Sequence, residues 1–128
     1  MCDRYDGPMT IRAIRGATTL TVDQRDHLHD RTQELMTALI EANGLDTEDL
    51  ISVFFTCTPD VVSDFPAAAA RALNLGAVPF MCAQEMAVPG ALPLVVRVMI
   101  HTNLDTPRDQ IQHIYLHDAV SLRRDLAQ

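Results

Sequence analysis

One run constrains this chain more than any other. Leu94-Val95-Val96-Arg97-Val98-Met99-Ile100 sets a guanidinium among six hydrophobes, and its apolar continuity predicts a buried strand. A charge taken out of water costs several kcal/mol unless an opposite charge or a ligand satisfies it. Arg97 therefore needs an anion, whether an internal carboxylate, a partner at a sheet edge or a substrate. Upstream, Phe80 to Cys82 predicts a second buried strand, and Glu85 follows it, so the stretch from Val78 to Arg97 brackets one acid and one base. Both are expected to face one pocket.

A chain of 128 residues is one domain by length, able to bury roughly two thirds of its unfolded surface. Its formal charge of −7 argues against nucleic acid and against an anionic membrane surface as partners, since both need a basic face. All ten basic residues are arginine, which excludes a Schiff-base lysine, a pyridoxal phosphate anchor and a P-loop lysine in this chain. An anion must then be held by arginine, whose planar fork bonds a carboxylate in two places. The three cysteines show no CxxC spacing, and no run approaches the roughly 20 apolar residues that span a bilayer. A cytoplasmic protein is expected.

Residues 1–8 are polar, contain Gly7-Pro8 and carry no periodicity, so they are expected to form a flexible N-terminal extension to a single domain over 9–128. Met9 to Ala17 alternates in part and predicts a strand, with Ile11, Ala13 and Arg15 on the face expected to be buried. From Asp23, expected as the cap, Leu28, Thr32, Leu35, Met36, Leu39 and Ile40 fall at helical spacing, and Asn43-Gly44 stops the helix. After one helical turn at residues 46–49, Leu50 to Cys57 is a β-branched and aromatic run that predicts a central strand. Phe65-Pro66 opens a short alanine-rich helix closed by Asn74 and Gly76, and Thr106-Pro107 opens another short turn of helix. Ile111 to Leu116 alternates as a last strand, and residues 117–128 predict a turn and tail. The order β, long α, β, short α, β, β, short α, β describes one mixed α/β domain.

Arg15 and Arg97 are the leading site candidates, because two charges in apolar strands could clamp a dicarboxylate; edge-strand ion pairs are the plainer alternative. Glu85 could accept a substrate hydroxyl or act as a base, or it could end a strand and pair Arg97. Cys82 reads as an inert buried thiol rather than a nucleophile, and Tyr115 as a core ring with its hydroxyl at the rim. The five histidines show no zinc spacing, and neither GxSxG nor GxGxxG occurs.

Several separated blocks, in order, carry a resemblance: residues 11–19 (IRAIRGATT), Phe65-Pro66-Ala67 with Arg71, Cys82-Ala83-Gln84-Glu85-Met86, Arg97-Val98-Met99, and the stretch from Asp105 to Leu116. The chain resembles the monofunctional, AroH-type chorismate mutases over nearly all of Met9 to Leu126. The resemblance implies a homotrimer whose subunits are mixed β-sheets with helices packed outside, together a pseudo-α/β-barrel, with active sites in clefts between subunits. It implies conversion of chorismate to prephenate, in phenylalanine and tyrosine biosynthesis, with no cofactor, no metal and no covalent intermediate. It implies that Arg15 and Tyr115 bind substrate carboxylate, that Arg97 reaches the ether oxygen and a carboxylate, and that Glu85 and Cys82 hold the ring hydroxyl. Phe65, Ala67, Phe80, Met81 and Leu122 would shape the pocket, with Arg71 and the C-terminal segment at its mouth. Two positions depart from the family pattern: Ala68 stands where the pattern has a lysine, and Met81 where it has a smaller polar residue. The C-terminal tail is also short. A trimeric imine deaminase-like enzyme and a non-catalytic sensor of an anionic metabolite are the two rival readings.

Overall fold

The computed structural model describes residues 10–123; the expected N-terminal extension, with Cys2, and the end of the tail lie outside the described residues. The elements are β1 (Ile11–Thr19), α1 (Arg25–Asn43), β2 (Leu50–Cys57), α2 (Pro66–Arg71), β3 (Phe80–Gln84), β4 (Val95–Asn103) and β5 (Ile114–Tyr115). Short 3₁₀ segments lie at Thr47–Asp49, Arg108–Gln110 and His117–Leu122. The strands form one mixed sheet in the order β3-β2-β4-β1-β5. β4 is central and runs against both its neighbours, β1 and β2, while β3 and β5 pair in parallel at the two edges. The apolar run around Arg97 thus takes the central position, with a strand on either side.

The pleat sorts the sheet into two faces. Val96, Val98 and Ile100 of β4, with Val53 and Phe55 of β2 and Ile14 of β1, are buried under the helices. Arg97 and Met99 alternate with them and point to the opposite, open face. α1 packs Leu28, Leu35, Met36 and Leu39 onto the covered face at the spacing of one helical stripe. Gly44, at φ 60°, ends it in the left-handed conformation, with Leu45 N–H bonded to Ile40 O at 3.0 Å. α2 begins with Pro66, buries Ala69 and Ala70 completely, and accepts a bond from Gln33 of α1 to Ala69 O at 3.1 Å. Its small side chains let the two helices approach.

Several expectations need correction. The Ile11, Ala13 and Arg15 face of β1 is the open one; Ile14 and Gly16 face the helices, because only a glycine leaves room for Leu35 and Leu39. Asp23 does not cap α1, whose cap position is Gln24; its carboxylate instead accepts the N–H groups of Val62 and Ser63. β3 is an edge strand with Met81 and Ala83 exposed, not a buried one, since only β2 pairs with it. β2 is interior but one place off the centre. α2 stops at Arg71, short of the positive φ angles of Asn74 and Gly76. The last strand shrinks to Ile114–Tyr115, because Gln112 is drawn off by a reciprocal pair of bonds to Asn43 at the end of α1.

Candidate active site

Sheet register builds the site. On the open face, Tyr115 of β5 pairs with Ala17 of β1, Ala17 with Arg97 of β4, and Arg97 with Thr56 of β2. The four form one row across the sheet. Between the phenol and the guanidinium, Ala17 contributes only a methyl group and is fully buried. Arg15 lies one pleat further along the same face, opposite Met99. A cavity of about 200 Å³ results, bordered by Arg15, Phe54, Thr56, Arg97 and Tyr115 among others.

Glu85 lies directly beyond β3. Its N–H donates to Cys57 O at 2.8 Å, which prolongs the parallel ladder by one step and brings the side chain beside β4. Its Oε2 accepts from Arg97 Nε at 3.0 Å and from Thr56 Oγ1 at 2.8 Å. The strand arginine thus has the carboxylate that its surroundings require, and Glu85 both ends a strand and pairs Arg97. The pair is not closed off: the Arg97 side chain is 43% exposed against 17% for Glu85. Only Nε is engaged among the described residues, which leaves both Nη groups for an outside anion. On the far side of Arg97 a second cavity, of about 510 Å³, is bordered by Glu85, Met86, Leu92 and Leu122.

The other expected residues are placed as follows. Phe65, 68% exposed just ahead of α2, borders a third cavity of about 400 Å³ with Cys57 and Cys82. Cys82 and Phe80 share the helix side of β3, where Phe80 stacks on Phe55 with ring centroids 6.3 Å apart. Arg71 lies over the Phe80 ring at 5.9 Å. Ala67 is buried in the core, and Met81 is exposed on the open face. Tyr115 lies under the guanidinium of Arg123, at 5.0 Å, and Arg123 Nη1 also donates to His113 O at 2.7 Å. Burial first, then the neighbouring Cys82 and Glu85, push the Cys57 thiol up to about 12, so it is no nucleophile at neutral pH.

Thus Arg15, Arg97 and Tyr115 meet at one cavity, Glu85, Arg97 and Leu122 at another, and Phe65 and Cys82 at a third. Arg97 belongs to the first two. Thr56 and the buried Thr58 were not expected at the site. In the sequence Thr56 is an ordinary member of a β-branched run and Thr58 follows its end, and only the pairing of β2 with β4 brings Thr56 opposite Arg97.

A mixed sheet whose open face presents an exposed arginine pair beside a held carboxylate defines a small α/β protein built to take an anionic small molecule. Residues 11–126 match the family described as chorismate mutase type I. The chain is 47% identical over 117 residues to chorismate mutase AroH of Thermus thermophilus, covering 91% of this chain and 96% of that one. It is 42% identical over 120 residues to the protein of the same name from Bacillus subtilis, covering 93% and 94%. A solved chorismate mutase from Clostridium thermocellum superposes with a TM-score of 0.83 at 42% identity, over 85% of this chain and 97% of that chain. The chain belongs to the chorismate mutase type I family.

Proposed function

We propose that this chain rearranges chorismate to prephenate in clefts completed by neighbouring copies in a homotrimer, by electrostatic and conformational means alone. The activity follows from family membership over residues 11–126, and it places the enzyme in the shikimate pathway, ahead of aromatic amino acid synthesis. The observation that carries the mechanism is the Arg97 guanidinium, pinned at Nε by Glu85 and, among the described residues, open at its other nitrogens. In a Claisen rearrangement the C–O bond breaks ahead of C–C closure, so negative charge grows on the ether oxygen. A guanidinium already fixed there stabilises the transition state more than the ground state. Arg15 and Tyr115 hold a substrate carboxylate, and Glu85 takes the ring hydroxyl. Together they fold the enolpyruvyl arm over the ring, selecting the near-attack conformer. A rate gain of about a millionfold requires roughly 8 kcal/mol, which positioning and charge stabilisation share.

Two observations support the trimer. The open sheet face carries Ile11 (61% exposed), Phe54 (38%) and Met81 (63%), an apolar surface that a neighbouring copy would cover. Phe65 and Cys82 also border a different cavity from Arg15 and Tyr115, and a cleft shared between copies would unite the two sets. The thiols of Cys57 and Cys82 are free, which supports a reducing cytoplasm as the setting.

The test is the loss of chorismate absorbance on adding purified protein, with acid conversion of the product to phenylpyruvate. Turnover is expected; its absence overturns the activity. Sedimentation should give a trimer, and a fully active monomer would overturn the shared clefts.

A further inference from the structure

We propose that Thr56 is a positioning residue that sets the plane of the Glu85 carboxylate; the inference rests on the reading of Glu85 as the partner of the substrate ring hydroxyl. The terminal torsion of a glutamate is soft and roughly two-fold, so a single hydrogen bond leaves its carboxylate free to swing. Here two donors converge on the same oxygen from neighbouring strands. Arg97 Nε reaches Oε2 at 3.0 Å and Thr56 Oγ1 reaches it at 2.8 Å. The two donors face each other directly in the β2–β4 register, a pairing that brings Cβ atoms to about 4.5–5.5 Å. Two donors fixed on one rigid sheet define a plane where one would define only a point. Oε1, which accepts no bond from the described residues, is then left available to a hydroxyl.

The choice of threonine fits this task. Its branched Cβ restricts χ1, so the hydroxyl is aimed before substrate arrives, and the same branching suits a strand. Glu85 N–H, bonded to Cys57 O at 2.8 Å, anchors the other end of the glutamate to the residue that follows Thr56. Backbone and carboxylate of Glu85 are therefore both referenced to β2. Thr56 also borders the cavity shared by Arg15 and Tyr115, so direct contact with substrate is the competing role that the test must separate.

The experiment compares Thr56→Val and Thr56→Ser with the wild type in steady-state turnover of chorismate, each in the native and in the Glu85→Ala background, with circular dichroism as the folding control. Thr56→Val keeps shape and loses the donor; we expect about a tenfold fall in kcat/KM, with Thr56→Ser restoring most of it. In the Glu85→Ala background Thr56→Val should cost nothing further, because there is no carboxylate left to orient. A loss that persists without Glu85 assigns Thr56 to the substrate itself and overturns the proposal, as does full activity in Thr56→Val or a serine variant as poor as valine. Should the valine variant not fold, Thr56→Ala carries the same comparison. A wild-type enzyme without turnover removes the underlying reading of Glu85 and the proposal with it, whereas turnover that Thr56→Val retains removes the proposal alone.

Discussion

Asp60 grips the backbone N–H of Leu94 with both carboxylate oxygens, at 3.2 and 3.0 Å, and so holds a leucine whose φ is 54°. A left-handed conformation costs a residue with a Cβ about 1–2 kcal/mol. The grip is shared with Thr58, whose hydroxyl donates to Asp60 Oδ1 at 2.6 Å and accepts from Val95 N at 2.9 Å. Leu94 is the last residue before β4, and Arg97 follows three positions later. Asp60→Ala should therefore lower stability by about 1–3 kcal/mol in urea titration, and should also lower kcat/KM as the start of β4 relaxes. An unchanged unfolding midpoint would leave Leu94 held by something other than Asp60.

Replacement of Arg97 separates charge from binding. Arg97→Met keeps a straight apolar stem in the sheet and removes the guanidinium, so the fold should survive by circular dichroism. The expected cost is in kcat, about 10²–10³-fold for a lost donor at a developing oxyanion, with a smaller change in KM. Tyr115→Phe, which removes a hydroxyl from the proposed carboxylate site, should cost much less. Equal losses from the two variants would sink the division of roles between them.

The elements that could be read from the sequence are those where one local signal acts unopposed. Leu28 to Ile40 at helical spacing and Gly44 as the stop gave α1, and the apolar run around Arg97 gave β4. Elsewhere tertiary pairing overrode local pattern. The alternation of β1 is visible, but which face is covered depends on Gly16 admitting Leu35 and Leu39. An apolar triplet such as Phe80 to Cys82 looks the same at the edge as in the centre of a sheet. Asp23 has the chemistry of a helix cap but is taken by Val62 and Ser63. The Arg97 and Glu85 pair was legible as a need for charge balance, whereas the row Tyr115, Ala17, Arg97, Thr56 exists only once strands distant in sequence are in register.

Asp64 ties the loop ahead of α2 to the first helix. Its hydrogen bond with His29, at 2.7 Å, is the main reason its carboxyl lies below the ordinary value; the Phe65 N–H and the nearby Arg25 act in the same direction. A folded pKa below the unfolded one means that the ionised form favours the folded state. That contribution is complete above the ordinary value of 3.8 and is lost as pH falls through the folded pKa. Asp64→Asn should accordingly be less stable than wild type near neutrality, and the difference should shrink as pH is taken below that value. Urea titrations at a series of pH values would show this, and a gap that widens in acid would contradict it.

Gly16 has the least room of the described glycines. A Cβ there would lie 2.7 Å from Leu39 Cδ1, 3.1 Å from Leu35 Cδ1 and 3.1 Å from the backbone oxygen of Ile114. The two leucine ends can swing aside, but the Ile114 oxygen belongs to β5, the edge strand paired with Gly16 itself. Gly16→Ala should therefore push β5 outward and carry Tyr115 with it, away from Ala17 and Arg97. Overpacking of this kind costs about 1–3 kcal/mol, to be read from denaturant unfolding. Because the displaced residue is proposed to hold a substrate carboxylate and not the reacting oxygen, KM should rise more than kcat falls. If kcat instead fell with KM unchanged, the strain would have passed through β1 to Arg97, and Tyr115 would lose its assignment as a binding residue.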